Sequence, residues 1–242
     1  KELNMPAVGI TDHGNMHGAY EMWSTAVKEG VKPIIGIEAY VTPETARQDQ
    51  TRVSWDTNWN PDIDPQHRRR NPNDVSGGGL ITQLTMWAET DEGLVNLMKA
   101  STDANLEGRV MRYPRMDKEI LAKYSKGIIA SSGCPSGIIQ TRLLLGQFDE
   151  ALRAAGELQD IFGRDNFYIE FMDHGLKIEK QVTDGLLDIA KKLNAPLLAT
   201  NDSHYVRAED AGSQDAMLCI NSGSTLDEPG RFKFDGTGYY LK

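Results

Sequence analysis

Short runs with the character of β-strands alternate with amphipathic helical segments along most of this chain, and this alternation constrains the fold more than any other feature. Six runs are predicted as strands, at residues 7–11, 33–41, 80–87, 127–131, 167–171 and 196–200. Repeated strand–helix units place parallel strands inside and helices outside. The pattern therefore predicts an α/β fold, either a βα barrel or a doubly wound sheet.

Apolar residues at helical spacing predict the helices that accompany these strands. Helices are expected at residues 18–28, around Leu94, Leu97 and Met98, from residue 136, and at residues 149–162 and 178–193. Residues 44–79 interrupt the pattern, because they are rich in Asn, Asp, Arg, Gln and Pro and end in Ser-Gly-Gly-Gly. Such a composition predicts a long surface insertion that is mobile at its glycine end.

The length and charge of the chain narrow the classes of function. It has 242 residues, with 26 Lys and Arg against 35 Asp and Glu, so its formal net charge is −9. A chain this acidic is a poor free-standing nucleic-acid binder, because Lys and Arg supply most of the affinity for phosphates. No apolar run approaches the ~18–20 residues that span a bilayer. We therefore expect a cytoplasmic protein with no membrane partner.

Side chains that can bind metal ions follow or end five of the predicted strands. They are His13, Glu38, Cys134, His174, Asp202 and His204, in chain order. Because the C-terminal ends of strands in βα folds share one face, these side chains are expected to converge. Mixed imidazole, thiol and carboxylate ligands suit zinc, manganese or a related divalent ion.

Each of these residues also has a plainer interpretation. An Asp-His-Gly sequence after a strand, as at residues 12–14, more often forms a capped turn than a ligand. Cys134 could be a small core residue, and His174 could be a loop residue or one that supports the ligands. Glu38 is the stronger signal, because a carboxylate in an apolar strand is costly to bury without a cation or donors. Five such strand ends together favour a metal site over five independent turns.

Four segments carry a family resemblance when they are taken together. They are TDHGN at residues 11–15, PIIGIEAY at 33–40, SGCPSG at 132–137 and TNDSHY at 200–205. These motifs resemble the polymerase and histidinol phosphatase (PHP) domain. The closest resemblance is to the version at the N-terminus of bacterial replicative DNA polymerase III alpha subunits, in its actinobacterial form, and it covers nearly the whole chain.

The resemblance implies a distorted TIM-like (βα) barrel with a metal site. His13, Glu38, Cys134, Asp202 and His204 match ligand positions of the family. The family's His-x-His motif, together with the first strand and helix, is expected to lie before the start of this chain. Another family ligand is a His where this chain has Gln83. Gln is a poorer ligand than imidazole for zinc or manganese, so the site is expected to be weakened there.

The resemblance also implies how the chain is organised. Residues 1–242 are interpreted as a single PHP domain with the surface insertion at about 44–79. Residues from about 205 to 242 are expected to lead toward a polymerase core.

The activity implied is that of a metal-dependent 3′–5′ proofreading exonuclease within a DNA-directed DNA polymerase, a nucleotidyltransferase of DNA replication. Its cofactors would be zinc or manganese ions, and water activated by them would be the catalytic group. Its partners would be primer–template DNA, reached through the parent polymerase, together with the polymerase core and other replisome subunits. Arg109, Arg112 and Arg115 are candidate phosphate contacts, although such a stretch is more often a solvated charged face.

Two other functions stay open at this point. One is a structural or partner-docking module with a degenerate site, which the Gln83 substitution favours. The other is a free-standing PHP phosphoesterase.

Overall fold

The computed structural model of the chain describes residues 2–56, 79–236 and 238–242. The strands in these ranges are β1 (Ala7–His13), β2 (Lys32–Val41), β3 (Thr82–Ala88), β4 (Arg109–Val110), β5 (Tyr113–Met116), β6 (Ile128–Ser131), β7 (Phe167–Phe171) and β8 (Leu197–Ala199). The α-helices are α1 (Ala19–Lys28), α2 (Asp91–Glu107), α3 (Lys118–Tyr124), α4 (Ile138–Leu144), α5 (Phe148–Phe162), α6 (Lys177–Leu193) and α7 (Ala211–Ser222). Every predicted strand and helix is present, with ends that differ by a few residues. None of the described helices combines the length and the apolar character needed to cross a membrane.

The sheet is mixed, and the prediction of parallel strands throughout is wrong at β3. The strand order is β4-β5-β2-β3-β6-β7-β8, and β1 pairs with β2. β3 runs antiparallel to both β2 and β6, whereas β2 is parallel to β1 and β5, and β7 is parallel to β6 and β8. No helix is predicted between β2 and β3, and a strand that follows without a crossover helix can pair in the antiparallel direction.

Four elements carry little sequence signal and are missing from the prediction. β4 and β5 form an antiparallel hairpin of 2 and 4 residues, which is too short for alternation to show. α3 has 7 residues. α7 buries only Cys219 among its side chains, so it lacks the apolar stripe by which a helix is recognised.

The core lies between the sheet and helices α2, α5 and α6. Ile37, Met86 and Ile169 project from the strands, and Leu97 and Ile189 project from α2 and α6 to join the same buried cluster. Since β3 is antiparallel to both of its neighbours, β2 and β6 point in the same direction. The C-terminal ends of β1, β2, β6, β7 and β8 therefore lie at one edge of the sheet, as a βα fold requires.

A cavity separates β1 from β8. In the part of the chain that the structure describes, β1 pairs with β2 and β8 pairs with β7, and no hydrogen bonds join β1 to β8. Residues 7–13 of β1 and residues 200–206 line a cavity of about 620 Å³ between them. The architecture is thus a barrel-like α/β sheet that stays open at this cavity.

The first part of the predicted insertion is anchored to the body of the domain. Glu44 forms ion pairs with Arg142 and Arg153, and Trp55 is buried under the guanidinium of Arg142. Residues 57–78, which make up most of the predicted insertion, lie outside the described residues. Its last residue, Gly79, accepts a hydrogen bond from the backbone N–H of Val53 at 2.9 Å.

Arg115 in β5 joins this segment to the sheet. Its side chain is fully buried and donates hydrogen bonds to the carbonyl oxygens of Gly108, Leu80, Arg47 and Asp49, at 3.2, 3.3, 2.7 and 2.8 Å. A guanidinium enclosed in this way has no access to a phosphate in solvent. Burial therefore removes Arg115 from the predicted phosphate contacts, whereas Arg109 and Arg112 are exposed.

Arg115→Met should lower the free energy of unfolding by about 3–5 kcal/mol, because each buried carbonyl that loses its donor costs ~1–3 kcal/mol before relaxation. Urea denaturation followed by circular dichroism measures the change. Arg109→Met is the matched control, since Arg109 is exposed, and should change the value by less than ~0.5 kcal/mol. Equal stability of the Arg115→Met variant and the wild type would contradict this structural role.

Candidate functional site

The five predicted metal ligands line one cavity. His13, Glu38, Cys134, Asp202 and His204 all contribute to the 620 Å³ cavity between β1 and β8. They come from four separate parts of the sequence, and the shared direction of their strands brings them together. The strand-end pattern predicts this convergence for the five, but it also predicts it for His174, which does not line the cavity.

Glu38 lies at the centre of these contacts. It is directly opposite His13 in the parallel register of β2 and β1, and its Oε2 is 3.2 Å from Nδ1 of His13. Its Oε1 is 3.6 Å from the Sγ of Cys134. Burial raises the pKa of Glu38 to about 8, and the negative charge of Asp202 adds to the effect. A carboxyl group with this environment favours a nearby cation.

Cys134 connects Glu38 to Gln83. Gly133, which precedes it, has a φ of +78° that only glycine adopts readily, and this turn brings Cys134 back toward β3. The Sγ of Cys134 lies 3.1 Å from Oε1 of Gln83. Burial, reinforced by the charge of Glu38, raises the pKa of the Cys134 thiol well above its usual value. The thiol is therefore neutral unless a cation stabilises its thiolate.

The loop after β8 carries the other two candidate ligands, Asp202 and His204. Nδ1 of His204 lies 2.7 Å from the carbonyl oxygen of Asp202, an arrangement in which Nδ1–H donates and Nε2 keeps its lone pair. Such a hydrogen bond orients a metal-binding imidazole. The ring of His204 packs edge-on against Phe234 at 4.6 Å, and its backbone N–H donates to the carbonyl of Tyr239 at 2.8 Å.

His174 supports this loop and does not line the cavity. Its side chain is buried, with Nδ1 2.6 Å from Oε1 of Glu179 and Nε2 2.9 Å from the carbonyl oxygen of Asn201. Its ring stacks on Tyr239 with 4.0 Å between centroids. Both ring nitrogens are engaged, so His174 is not available as a ligand and instead holds the residue before Asp202.

Gln83, Arg109 and Arg112, the remaining predicted site residues, lie outside the cavity. Gln83 touches Cys134 but does not line the cavity. The guanidinium of Arg112 lies over the ring of Tyr113, which packs edge-on against Tyr40 at 5.0 Å, and Tyr40 in turn stacks with His13 at 6.4 Å. Arg112 is thus connected to the site through aromatic rings, whereas Arg109 is an exposed residue of the β4–β5 hairpin.

Sequence reasoning missed Glu170. It belongs to β7, is only 4 % exposed and lines the same cavity. Burial raises its pKa, and the charge of Asp202 raises it further, although hydrogen bonds from Ser131 and Thr200 act in the opposite direction. The available signal was a carboxylate in the apolar sequence FYIEF, the same signal that singles out Glu38.

The donor atoms of these side chains are of the types that divalent ions bind, but the side chains stand too far apart to hold one ion together. Two imidazoles, two carboxylates and a thiol are donors that zinc and manganese accept. Yet among the described residues no three His, Cys, Asp or Glu side chains stand close enough to hold one metal ion. The observed contacts are pairwise: Glu38 lies close to His13 and Cys134, and His204 lies close to Asp202.

Glu38 should make the stability of the chain depend on pH when a chelator removes divalent ions. Its pKa is about 8 in the folded chain against an ordinary value of 4.5, so the contribution of Glu38 to stability is full below about pH 4.5 and is lost as pH rises toward 8. The fall should reach up to ~1.4 kcal/mol per pH unit. Urea denaturation at several pH values measures it.

Glu38→Gln should remove much of this fall, because the amide does not ionise. Glu21→Gln, at an exposed position of α1, is the matched control and should keep the wild-type slope. A Glu38→Gln variant with the wild-type slope would show that another group causes the dependence.

Known proteins with similar sequences identify the family of the chain. A family profile described as the PHP domain matches residues 1–174. The DNA polymerase III subunit alpha of Mycobacterium tuberculosis (strain ATCC 25618 / H37Rv) is 52% identical over 242 residues, which is 100% of this chain and 20% of that protein. Subunits of the same name are 53% identical in Saccharopolyspora erythraea, over 100% of this chain and 20% of that protein, and 36% identical in Treponema pallidum, over 100% and 19%.

The chain therefore spans about a fifth of the length of these relatives. The similarity extends over all of its residues, and the resemblance seen in the four sequence motifs is confirmed. The chain belongs to the PHP domain family.

Proposed function

We propose that this chain is the PHP domain of a bacterial DNA polymerase III alpha subunit and that its cavity binds divalent metal ions for 3′–5′ removal of misincorporated nucleotides. The observation that carries the proposal is the convergence of His13, Glu38, Cys134, Asp202 and His204 on one cavity. Its volume of about 620 Å³ falls within the ~300–1,000 Å³ range of ligand pockets.

The five side chains would share the work of holding zinc or manganese. Glu38 and Asp202 supply negative charge, and His204 offers Nε2 because its Nδ1 is bound to the carbonyl of Asp202. Bound there, a divalent ion would supply Lewis-acid activation of water and of a phosphodiester. The burial of Glu38 limits competition from solvent and strengthens its attraction for a cation.

DNA would reach this cavity through the rest of a polymerase. The net charge of −9 argues against strong DNA binding by this chain alone. Arg112, connected to His13 through Tyr113 and Tyr40, is the candidate phosphate contact nearest to the site, and Arg109 is a second candidate. Primer–template DNA, the polymerase core and other replisome subunits are the partners that this function requires.

A structural or partner-docking module is the second candidate function. Two observations favour it: Gln83 stands beside Cys134 where an imidazole would bind a metal more strongly, and no described group of three donors is close enough for one ion. A free-standing phosphoesterase has less support, because the similarity to polymerase alpha subunits covers all 242 residues.

Metal content and nuclease activity separate these functions. We expect an alpha subunit that contains this chain, with the His-x-His segment and the polymerase core restored, to bind zinc or manganese, measured by inductively coupled plasma mass spectrometry, and to shorten a mismatched primer–template. His204→Ala should lose both properties, because it removes an imidazole from the loop it shares with Asp202. His17→Ala, at an exposed position, is the matched control and should keep both.

Three other outcomes would contradict this proposal or support another function. Unchanged metal content in His204→Ala would contradict the ligand assignment. A wild-type subunit with these parts restored that shows neither metal nor cleavage would support the structural module. Release of phosphate from histidinol phosphate would support the free-standing phosphoesterase.

Gln83→His should raise the affinity for zinc at least ~10-fold, because it places an imidazole beside the Sγ of Cys134. Competition with a chromophoric zinc chelator measures the affinity. Gln83→Asn keeps an amide without adding an imidazole and serves as the control. Equal affinities of the Gln83→His variant and the wild type would show that Gln83 does not weaken the site.

A further inference from the structure

Glu170 is a buried carboxylate to which the proposed chemistry assigns no part. It lies in β7 between β6 and β8 and is only 4 % exposed. It borders the same cavity as the five candidate ligands. An apolar side chain would fill this position in the sheet without the desolvation of a carboxyl group. The presence of a carboxylate at this position therefore needs an explanation beyond packing.

The two carboxylate oxygens of Glu170 accept hydrogen bonds from residues at the ends of the two neighbouring strands. Oε2 accepts a hydrogen bond from the hydroxyl of Ser131 at 2.5 Å, and Oε1 accepts one from the hydroxyl of Thr200 at 2.5 Å. Ser131 is the last residue of β6, and Thr200 follows directly after β8. One side chain thus connects the C-terminal ends of strands on both sides of β7.

These two strand ends lead into the loops that carry candidate ligands. Cys134 comes three residues after Ser131, and Asp202 comes two residues after Thr200. The backbone N–H of Glu170 also donates to the hydroxyl of Ser132 at 2.9 Å. Glu170 therefore contacts both loops within three residues of a ligand, although it contacts neither ligand through a hydrogen bond that the structure records.

We infer that Glu170 is a positioning residue that sets the separation between Cys134 and the pair Asp202 and His204. The inference rests on the proposed function, since it assigns Glu170 to the same metal site. Two acceptor atoms on one rigid group can hold two hydroxyl donors at once, which a methyl or methylene group cannot do. Loss of this link lets the two loops move apart, so the geometry of the ligands loosens while the fold persists.

Cobalt(II) binding to the full chain tests this role. Co²⁺ alone is the probe, because its visible absorption reports coordination geometry and its ligand-to-metal band reports the Cys134 thiolate. Glu170→Ala should weaken Co²⁺ binding about 10- to 100-fold and change the visible spectrum. Glu170→Gln should recover most of the affinity, because the amide oxygen still accepts from one hydroxyl and the amide NH2 can donate to the oxygen of the other. Thr200→Val, which keeps the shape of the side chain without its hydroxyl, should reproduce part of the loss.

A matched control and a folding measurement show whether weaker Co²⁺ binding comes from the loss of this link or from general damage to the fold. Ser101→Ala removes a buried hydroxyl from α2 and should bind Co²⁺ like the wild type. Thermal denaturation identifies any variant that does not fold. If Glu170→Ala fails to fold, Glu170→Gln and Thr200→Val carry the test, and a wild-type spectrum and affinity in Thr200→Val would then overturn the inference.

The outcomes separate this inference from the function on which it rests. Absence of Co²⁺ binding by the wild-type chain would overturn the metal-site proposal, and the role of Glu170 with it. Wild-type binding that His204→Ala abolishes but that folded Glu170→Ala and Thr200→Val leave unchanged would overturn the positioning role alone. Weaker binding in Glu170→Ala with no recovery in Glu170→Gln would also contradict it, since a hydrogen-bonding link should tolerate the amide.

Discussion

The hydrogen-bonded pairing of β2 is the interaction on which the rest of the structure depends. This strand pairs with β1, β3 and β5, and it carries Glu38 near its C-terminal end. The parallel register with β1 places His13 opposite Glu38, and the antiparallel register with β3 places Gln83 opposite Tyr40. A shift of one residue in either pairing would turn these side chains to the other face of the sheet. The composition of the site is therefore a consequence of strand register.

Two buried carboxyl groups on this framework have different surroundings. Glu38 has His13 and Cys134 as neighbours, and burial raises its pKa to about 8. Glu170 has two hydroxyl donors, one on each of its oxygens, which oppose the effect of burial on its pKa. A carboxylate with hydroxyl donors is suited to fixing strands in place, whereas one without strong donors is suited to a cation. Under the proposed function, Glu38 would bind the cation and Glu170 would support the loops that carry the other ligands.

Much of the fold could be predicted because its strands and helices follow strong periodic patterns. The run at residues 167–171 coincides with β7, and the apolar stripe of α6 includes buried Val182, Leu186 and Ile189. The β4–β5 hairpin and α3 are too short for periodicity to show. The direction of β3 depends on which strands it meets, and its own seven residues, TQLTMWA, carry no signal of that direction. Arg115 looked like a surface cation because its local sequence contains Arg109 and Arg112, but the segment at residues 47–49 and Leu80 enclose it.

The sequence by itself determined the α/β class and the order of the main elements, because strands and helices follow local periodicity. It also supplied the candidate ligands: strand ends singled out six residues, and the resemblance to the PHP domain selected five of them. Only the tertiary structure decided which of the polar residues share a cavity, that His174 supports a loop, and that Glu170 joins β6 to β8. Those facts depend on contacts between residues far apart in sequence, such as Glu38 with Cys134 and Glu170 with Ser131. Sheet register and burial set these contacts, and neither can be read from the residues on either side.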